Sequence, residues 1–389
     1  MQRLKNRGTQ PFRAQPVFNN WDVVAKAWYI AFPSHELGKR GVSSRDICGQ
    51  RVVFWRGEDG KVRATDAFCP HMGTDLGIGR VDGTGIRCFF HHWKFEGDGR
   101  CADIPCLNDE EDSAIPGGAK LASYAVEEKY GFVWIWPEAE APATVVEHEE
   151  LKGREVLWLH GEPFTRRCHH HVNMINGIDA QHLRTVHKIH IDMEVEIREG
   201  SGGRVMDFLL RGEIPTVTAR ERFARKLLGA RYEYAMRYAD ASIGCLTLMK
   251  NVTLFGGKRK LPELTMIFAY RPLEPGRTLV QPIYLAPKGS GLFGGLKARF
   301  KCHATRRAFF ALRDEDGQIY ENIRFHPGTL LPIDAPVARF ISRVNQLEPS
   351  KWSRTTPAVE SAPCELTARA GETGVSGEAH ATPDCVRGY

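Results

Sequence analysis

The sequence predicts an α+β chain in two parts, an all-β N-terminal part and a larger part that adds helices to its strands. Three observations predict this. Residues 20–136 read as short strands with turns: Ala27–Phe32 is apolar and aromatic, Arg51–Trp55 is β-branched and aromatic with a Gly57–Gly60 turn after it, and Tyr130–Trp136 (YGFVWIW) is a strongly apolar strand. An acidic, Ala/Pro-rich stretch, Pro137–Glu150, then suits a boundary. From Glu155 to about Leu285 strands alternate with loops around one helical stretch near Asn173–His187. After the glycine-rich Gly289–Gly295, Leu296–Phe325 carries helical periodicity. At 389 residues the chain is long enough for two cores. The expected division is an N-terminal extension at 1–19, a first domain at 20–140, a second at 141–352 and a tail at 353–389. The tail has almost no large apolar side chains and reads as disordered.

Composition excludes several classes. Hydrophobic residues make up 42% and charged residues 26%, as in a soluble globular protein, and the net charge of +6 is small for this length. Lys and Arg are mixed with acids rather than gathered into a stripe, so no nucleic-acid partner is expected. No apolar run approaches the roughly 20 residues that span a bilayer, and the basic N-terminus lacks the apolar core of a secretory signal. The ten cysteines are scattered, which favours metal ligation or free thiols in the cytoplasm over a disulfide framework.

Four residues carry the first chemistry. Cys69 and His71 form C-x-H, and after sixteen intervening residues Cys88 and His91 form C-x2-H. In a Rieske [2Fe-2S] centre two thiolates hold one iron and two imidazoles hold the other. Two short loops, each with one Cys and one His, can clamp such a cluster. Tetrahedral zinc also accepts two Cys and two His, but C-x-H is poor zinc-finger spacing. His92 directly follows His91, and packing suits it better than ligation. Trp93 is expected to shield the cluster as a core aromatic.

A cluster alone moves one electron, and more than 200 residues follow it. Within them, Asn176-Gly-Ile-Asp179-Ala-Gln-His182-Leu-Arg-Thr-Val-His187 reads N-x2-D-x2-H-x4-H. On a helix Asp179 and His182 share a face at i,i+3, whereas His187 is turned about 140° from His182. Both imidazoles reach one metal only if the helix ends or distorts between them. Two His and one carboxylate make the facial triad of non-haem Fe(II) sites, which keeps positions open for O2 and substrate. The best carboxylate lies in Arg313-Asp-Glu-Asp316-Gly-Gln-Ile-Tyr320. Asp316 is preferred, Glu315 and Asp314 remain alternatives, and a solvated acidic helix end is the bland reading. The triplet His169-His170-His171 reads as strand-like, so at most His169 and His171 would share a face, and packing or support of a nearby ligand is favoured.

These motifs resemble the Rieske non-haem iron oxygenase family, catalytic subunit, over roughly residues 20–350. The carrying residues are Cys69-Pro-His71, Cys88-Phe-Phe-His91-His-Trp93, YGFVWIW and NGIDAQHLRTVH. AWYIAFPSHEL, the HHW after the second Cys and DAQH are similar to aminopyrrolnitrin oxygenase-like members. The resemblance implies a Rieske β-sandwich joined to a helix-grip (START-like) domain, with an antiparallel sheet around helices, in a homotrimer. It implies the low-potential type of cluster, since the cysteines of the disulfide-bearing type would fall at Thr74 and Phe90. It also implies that Asp179 bridges a cluster histidine (His71 or His91) of one subunit to His182 of the next, that Asn176 positions ligands or water, and that Asp316 is the third iron ligand. Tyr320 stands where many relatives carry Trp, and His92 where many carry Gly.

The expected activity is oxidation of a small aromatic or heterocyclic molecule with O2, by monooxygenase or dioxygenase chemistry: hydroxylation, demethylation or arylamine N-oxygenation. Electrons from NAD(P)H would arrive through a separate ferredoxin or flavin reductase, because the chain shows no convincing flavin or nicotinamide motif. Lys297, Arg299, Lys301, Arg306 and Arg307 could dock an acidic ferredoxin, although a solvated helix face is the simpler reading. The alternative function is a Rieske electron carrier or redox sensor, which leaves Asp179, His182 and His187 without a role.

Overall fold

Alternating side chains sort the strands into four cores. The computed structural model describes residues 17–107, 114–187, 190–200, 203–254, 259–291 and 293–354. Most of the expected N-terminal extension and all of the tail from 355, with Cys364 and Cys385, lie outside the described residues. The first strands are β1 (Tyr29–Pro33), β2 (Val42–Ile47), β3 (Gln50–Arg56) and β4 (Val62–Asp66). The chain then leaves for a small sheet of β5 (Arg80–Asp82), β6 (Gly85–Arg87), β7 (Lys94–Phe95) and β8 (Cys101–Asp103). It returns as β9 (Ser123–Lys129) and β10 (Phe132–Trp136), closing a six-stranded antiparallel sheet in the order β1-β10-β9-β4-β3-β2.

The second part is β11 (Val156–His160), β12 (Phe164–Arg166), α1 (His170–Ile175), α2 (Ala180–Thr185), β13 (Glu194–Glu199) and β14 (Val205–Glu213), then α3 (Ala219–Leu228), β15 (Arg231–Ala239) and β16 (Ile243–Lys250). A short pair, β17 (Thr253–Leu254) and β18 (Arg259–Lys260), precedes β19 (Leu264–Glu274), β20 (Arg277–Pro287), α4 (Gly294–Asn322) and α5 (Ala335–Val344). Its antiparallel sheet runs β11-β20-β19-β16-β15-β14-β13, with β12 also paired to β20. Helix α4 packs across β20, β11 and β19. The α+β expectation holds.

Strand β10 shows why its sequence is a continuous apolar run. Val133 and Ile135 enter the core of the first sheet, while Phe132, Trp134 and Trp136 enter a second core against Ile243, Ile267, Ile283 and Leu285 of the large sheet. A strand buried on both faces loses the polar alternation of a half-exposed one. The large sheet uses the same period. In β14 it turns Met206, Phe208 and Leu210, and in β15 Tyr234, Met236 and Tyr238, toward a third core under the helices.

The chain ends cross between the parts. Val17 and Phe18 enter the helical core and donate main-chain N–H groups to Asn345 Oδ1 at 3.2 and 2.9 Å, while Trp352 packs on Tyr124 of the first sheet.

Two helical expectations need correction. The long helix starts at Gly294, inside the stretch read as a glycine-rich loop. The stretch near Asn173–His187 is two short helices that start earlier, at His170, with a tight turn at Asn176–Ile178 between them. The His triplet is therefore not strand-like: His169 is the N-cap of α1, and its Nδ1 accepts the His171 main-chain N–H at 3.3 Å. All three imidazoles are buried. Burial pushes His169 down to about 3 and holds His170 and His171 well below the ordinary histidine range, so they pack as neutral rings.

Trp134 is fully buried between the two sheets. Trp134→Ala is expected to cost roughly 3–5 kcal/mol in chemical denaturation, whereas the exposed Val217→Ala should stay within about 0.5 kcal/mol.

Candidate metal centres

Two loops bring Cys69, His71, Cys88 and His91 to one end of the small sheet. In the first, the Cys69 main-chain N–H donates to Thr74 O at 2.9 Å and that of Gly73 to Cys69 O at 2.9 Å. Gly73 sits at φ +75, a left-handed conformation that this tight return requires and glycine adopts without strain. Asp75 anchors the loop, accepting from Gly77 N at 2.7 Å and pairing with Arg51. In the second loop the Cys88 N–H donates to Trp93 O at 2.9 Å, and Arg87 braces the turn through Asp82, Asp103 and His92 O.

The result is polarised. Both thiols are buried, whereas both imidazoles are exposed, their ring centroids 4.6 Å apart. Burial pushes the Cys69 thiol up to about 11, so a metal is what would hold it as thiolate. Trp93 stacks flat on His71, at 4.6 Å and 7°, and is half-buried rather than a core residue. His92, expected to pack, is exposed at φ 59. That left-handed backbone is one that glycine adopts without strain. Phe68, Met72, Ile78, Phe89 and Phe90 form an exposed apolar rim on these loops.

The second centre forms where α2 ends. Asp179 is its N-cap, extended at φ −89, and its Oδ1 accepts the His182 main-chain N–H at 3.0 Å. Asp179 is thus outside the helix rather than on a shared helical face, and the contact found between it and His182 is to the main chain rather than the ring. The helix stops at Thr185, as the histidine spacing requires, and His187 folds back. His182 Nε2 and His187 Nε2 lie 3.1 Å apart, and Asp316 Oδ1 from α4 lies 2.9 and 3.2 Å from them. Gly177 supports the turn before α2, because a side chain there would run into Met236 and the Tyr238 hydroxyl.

This triangle can be tested against a metal. Three donors at right angles and about 2.1 Å from one ion are about 3.0 Å apart, and at tetrahedral angles about 3.4 Å. The observed edges fit the right-angled face. Both nitrogens crowd Asp316 Oδ1 yet stand out of hydrogen-bond alignment with it, leaving a buried oxygen without a donor. Burial opposes the charge of Asp316, but the two imidazoles beside it win and hold the carboxyl at about 2. For His187 burial likewise opposes the charge, and Asp316 and Glu315 together raise its pKa. The donor set therefore fits a divalent cation.

Glu315 settles into a different place from Asp316. Its Oε2 lies 2.7 Å from His187 Nδ1, the nitrogen away from the triangle, which fixes the ring and leaves Nε2 to the site. A cavity of about 120 Å³ adjoins the triad, with Asn176, His187 and Asp316 on its wall among aromatic and aliphatic side chains. Tyr320 closes part of it and donates to Asn173 O at 3.4 Å.

Residues 27–125 match the Rieske [2Fe-2S] domain, the segment that holds both Cys/His loops. The chain carries a Rieske domain. Aminopyrrolnitrin oxygenase PrnD of Pseudomonas fluorescens is 31% identical over 173 residues, 43% of this chain and 47% of that protein. A cholesterol 7-desaturase of Hemicentrotus pulcherrimus is 35% identical over 170 residues, 42% of this chain and 36% of the relative. The matched region thus spans less than half the length of these relatives. In fold, the chain is similar to dicamba monooxygenase, with a TM-score of 0.58 at 21% identity over 83% of this chain and 97% of that one. It is also similar to NdmB of Pseudomonas putida CBB5, with a TM-score of 0.59 at 17% identity over 82% and 89%. The resemblance to Rieske oxygenase catalytic subunits stands.

The structure brings His182, His187 and Asp316 together, sets Asn176 on the cavity wall and places Asp179 at the head of the same helix. What sequence reasoning missed is the division of labour between Glu315 and Asp316, whose adjacency sends them to opposite nitrogens of His187. Glu315→Gln is expected to weaken Fe(II) binding roughly 10–100-fold, as loss of support behind a ligand does, with the Rieske absorption unchanged. An anaerobic Fe(II) titration reads this directly, and undiminished affinity would remove Glu315 from the site.

Proposed function

We propose that this chain is the terminal component of a Rieske oxygenase, oxidising a small ring-containing molecule with O2. The observation that carries the reading is the triangle of His182, His187 and Asp316 beside an apolar cavity, in a chain that also holds a Rieske site. Cys69, His71, Cys88 and His91 would hold the [2Fe-2S] cluster, and the triad one Fe(II). When bound, these groups supply single-electron relay and O2 activation. The residues of the chain do the rest. Glu315 holds the His187 ring by Nδ1, Asp179 holds the helix that presents His182, and the aromatic walls keep water from the reacting centre.

The exposed imidazoles and their apolar rim suit docking against another protein surface. Leu330, Leu331 and Ile333 form a second exposed apolar group, next to Asp334, which accepts from Gln181 on α2. The two patches would meet in a homotrimer, where Asp179 of one subunit bonds a cluster histidine of its neighbour. Electrons from NAD(P)H would enter through a ferredoxin or flavin reductase, in the cytoplasm. No helix among the described residues is long and apolar enough to cross a membrane. The named relatives span desaturation and oxygenation, so hydroxylation, demethylation and N-oxygenation all remain within the proposal.

Iron and acid-labile sulfide per chain test the reading. About three irons and two sulfides are expected after anaerobic purification, and about two of each even after Fe(II) is offered would instead mark an electron carrier. His182→Ala should abolish turnover while leaving the Rieske spectrum intact, and surviving turnover would refute the iron assignment. Asp179→Asn should slow reduction of the mononuclear iron in single turnover with both metals retained.

A further inference from the structure

Two arginines reach the cavity beside the triad, and one of them keeps a buried donor unmet. Arg166, at the end of β12, and Arg313, on α4, both line it. Asp316 is the one carboxylate among the described lining residues, and the two histidines occupy it. Arg166 makes no ion pair among the described residues. Its Nη2 donates to the Arg313 main-chain oxygen at 3.1 Å, and its guanidinium lies 4.7 Å over the Phe164 ring and 5.8 Å over Tyr320. These contacts fix the plane of the group but leave Nε buried with no acceptor. The Arg313 guanidinium lies 4.4 Å over Phe310 and 5.7 Å over the same Phe164, so one aromatic ring orients both cations.

A buried donor on a cation is costly to leave unmet, and an apolar substrate would leave it so. The remaining wall of Leu183, Met236, Leu248, Phe268, Val280 and Phe309 is apolar and suits a ring. A guanidinium presents forked, coplanar donors that match a carboxylate.

We infer that the cavity binds a single-ring aromatic carboxylate, with Arg166 receiving the carboxylate. The ring then lies among the apolar side chains, between the arginines and the metal triad. This rests on the oxygenase reading for its purpose, but its test is equilibrium binding rather than turnover.

The test uses anaerobic, metal-replete protein and calorimetric titration with benzoate, 3-methylbenzoate and 4-methoxybenzoate, each paired with its primary amide. At least one acid is expected to bind about tenfold or more tighter than its amide, since a hydrogen bond to a charged group is worth that much. Arg166→Gln should bring the acid and amide affinities to within about threefold without weakening the amide, and Arg166→Lys, which keeps the charge, should retain part of the preference. The inference is overturned if no acid binds at millimolar concentration, if every amide matches its acid, or if the preference survives Arg166→Gln. Iron and sulfide measured on the same samples keep the two questions apart. Full iron without acid preference refutes the substrate class alone, whereas a missing mononuclear iron refutes the oxygenase reading.

Discussion

Three electron-rich atoms, two imidazole nitrogens and a carboxylate oxygen, are held about 3 Å apart in a largely buried place. Such a group is repulsive unless protons or a cation lie within it, and much of the second half of the chain can be read as the means of imposing it. The helix carrying His182 is only six residues long and capped by Asp179, so the chain turns back soon enough for His187 to arrive from the other side. Helix α4 is long and anchored across β20, β11 and β19, which gives Asp316 a rigid base. A long anchored helix and a short broken one together fix a geometry that neither could fix alone.

The Rieske end is built on the opposite principle. Its two loops hold themselves by local main-chain bonds and nearby ion pairs, and the small sheet beneath them provides the core. The buried thiols and exposed imidazoles give the site a direction, with its histidine face outward. Trp93 stacked on His71 and the exposed apolar rim around it give that face the mixed character that suits contact with another surface.

What the sequence revealed follows from how local each feature is. The Cys/His loops were legible because their spacing is set by short turns, and the break between His182 and His187 followed from helical geometry. Tyr130–Trp136 was legible as a strand, but that its two faces serve two different cores depends on a sheet more than 100 residues away. Asp316 is preferred as the ligand from the sequence, but the separate place of Glu315 is not legible there, because a difference of about one-third of a turn on α4 is read only against the position of His187. The His triplet was misread because a capping imidazole starts a helix where periodicity suggested extended chain.

The crossing of the chain ends bears on how the protein is made. Tyr124 of the first sheet finds its partner, Trp352, only after more than 200 further residues have been synthesised, while Phe18 must wait for Phe340. The Rieske part therefore leaves the ribosome with one wall of its core open, although its cluster loops are already complete. The cluster loops and the contact that closes this core are thus synthesised at separate times, and residues near 350 lock a half that was translated first.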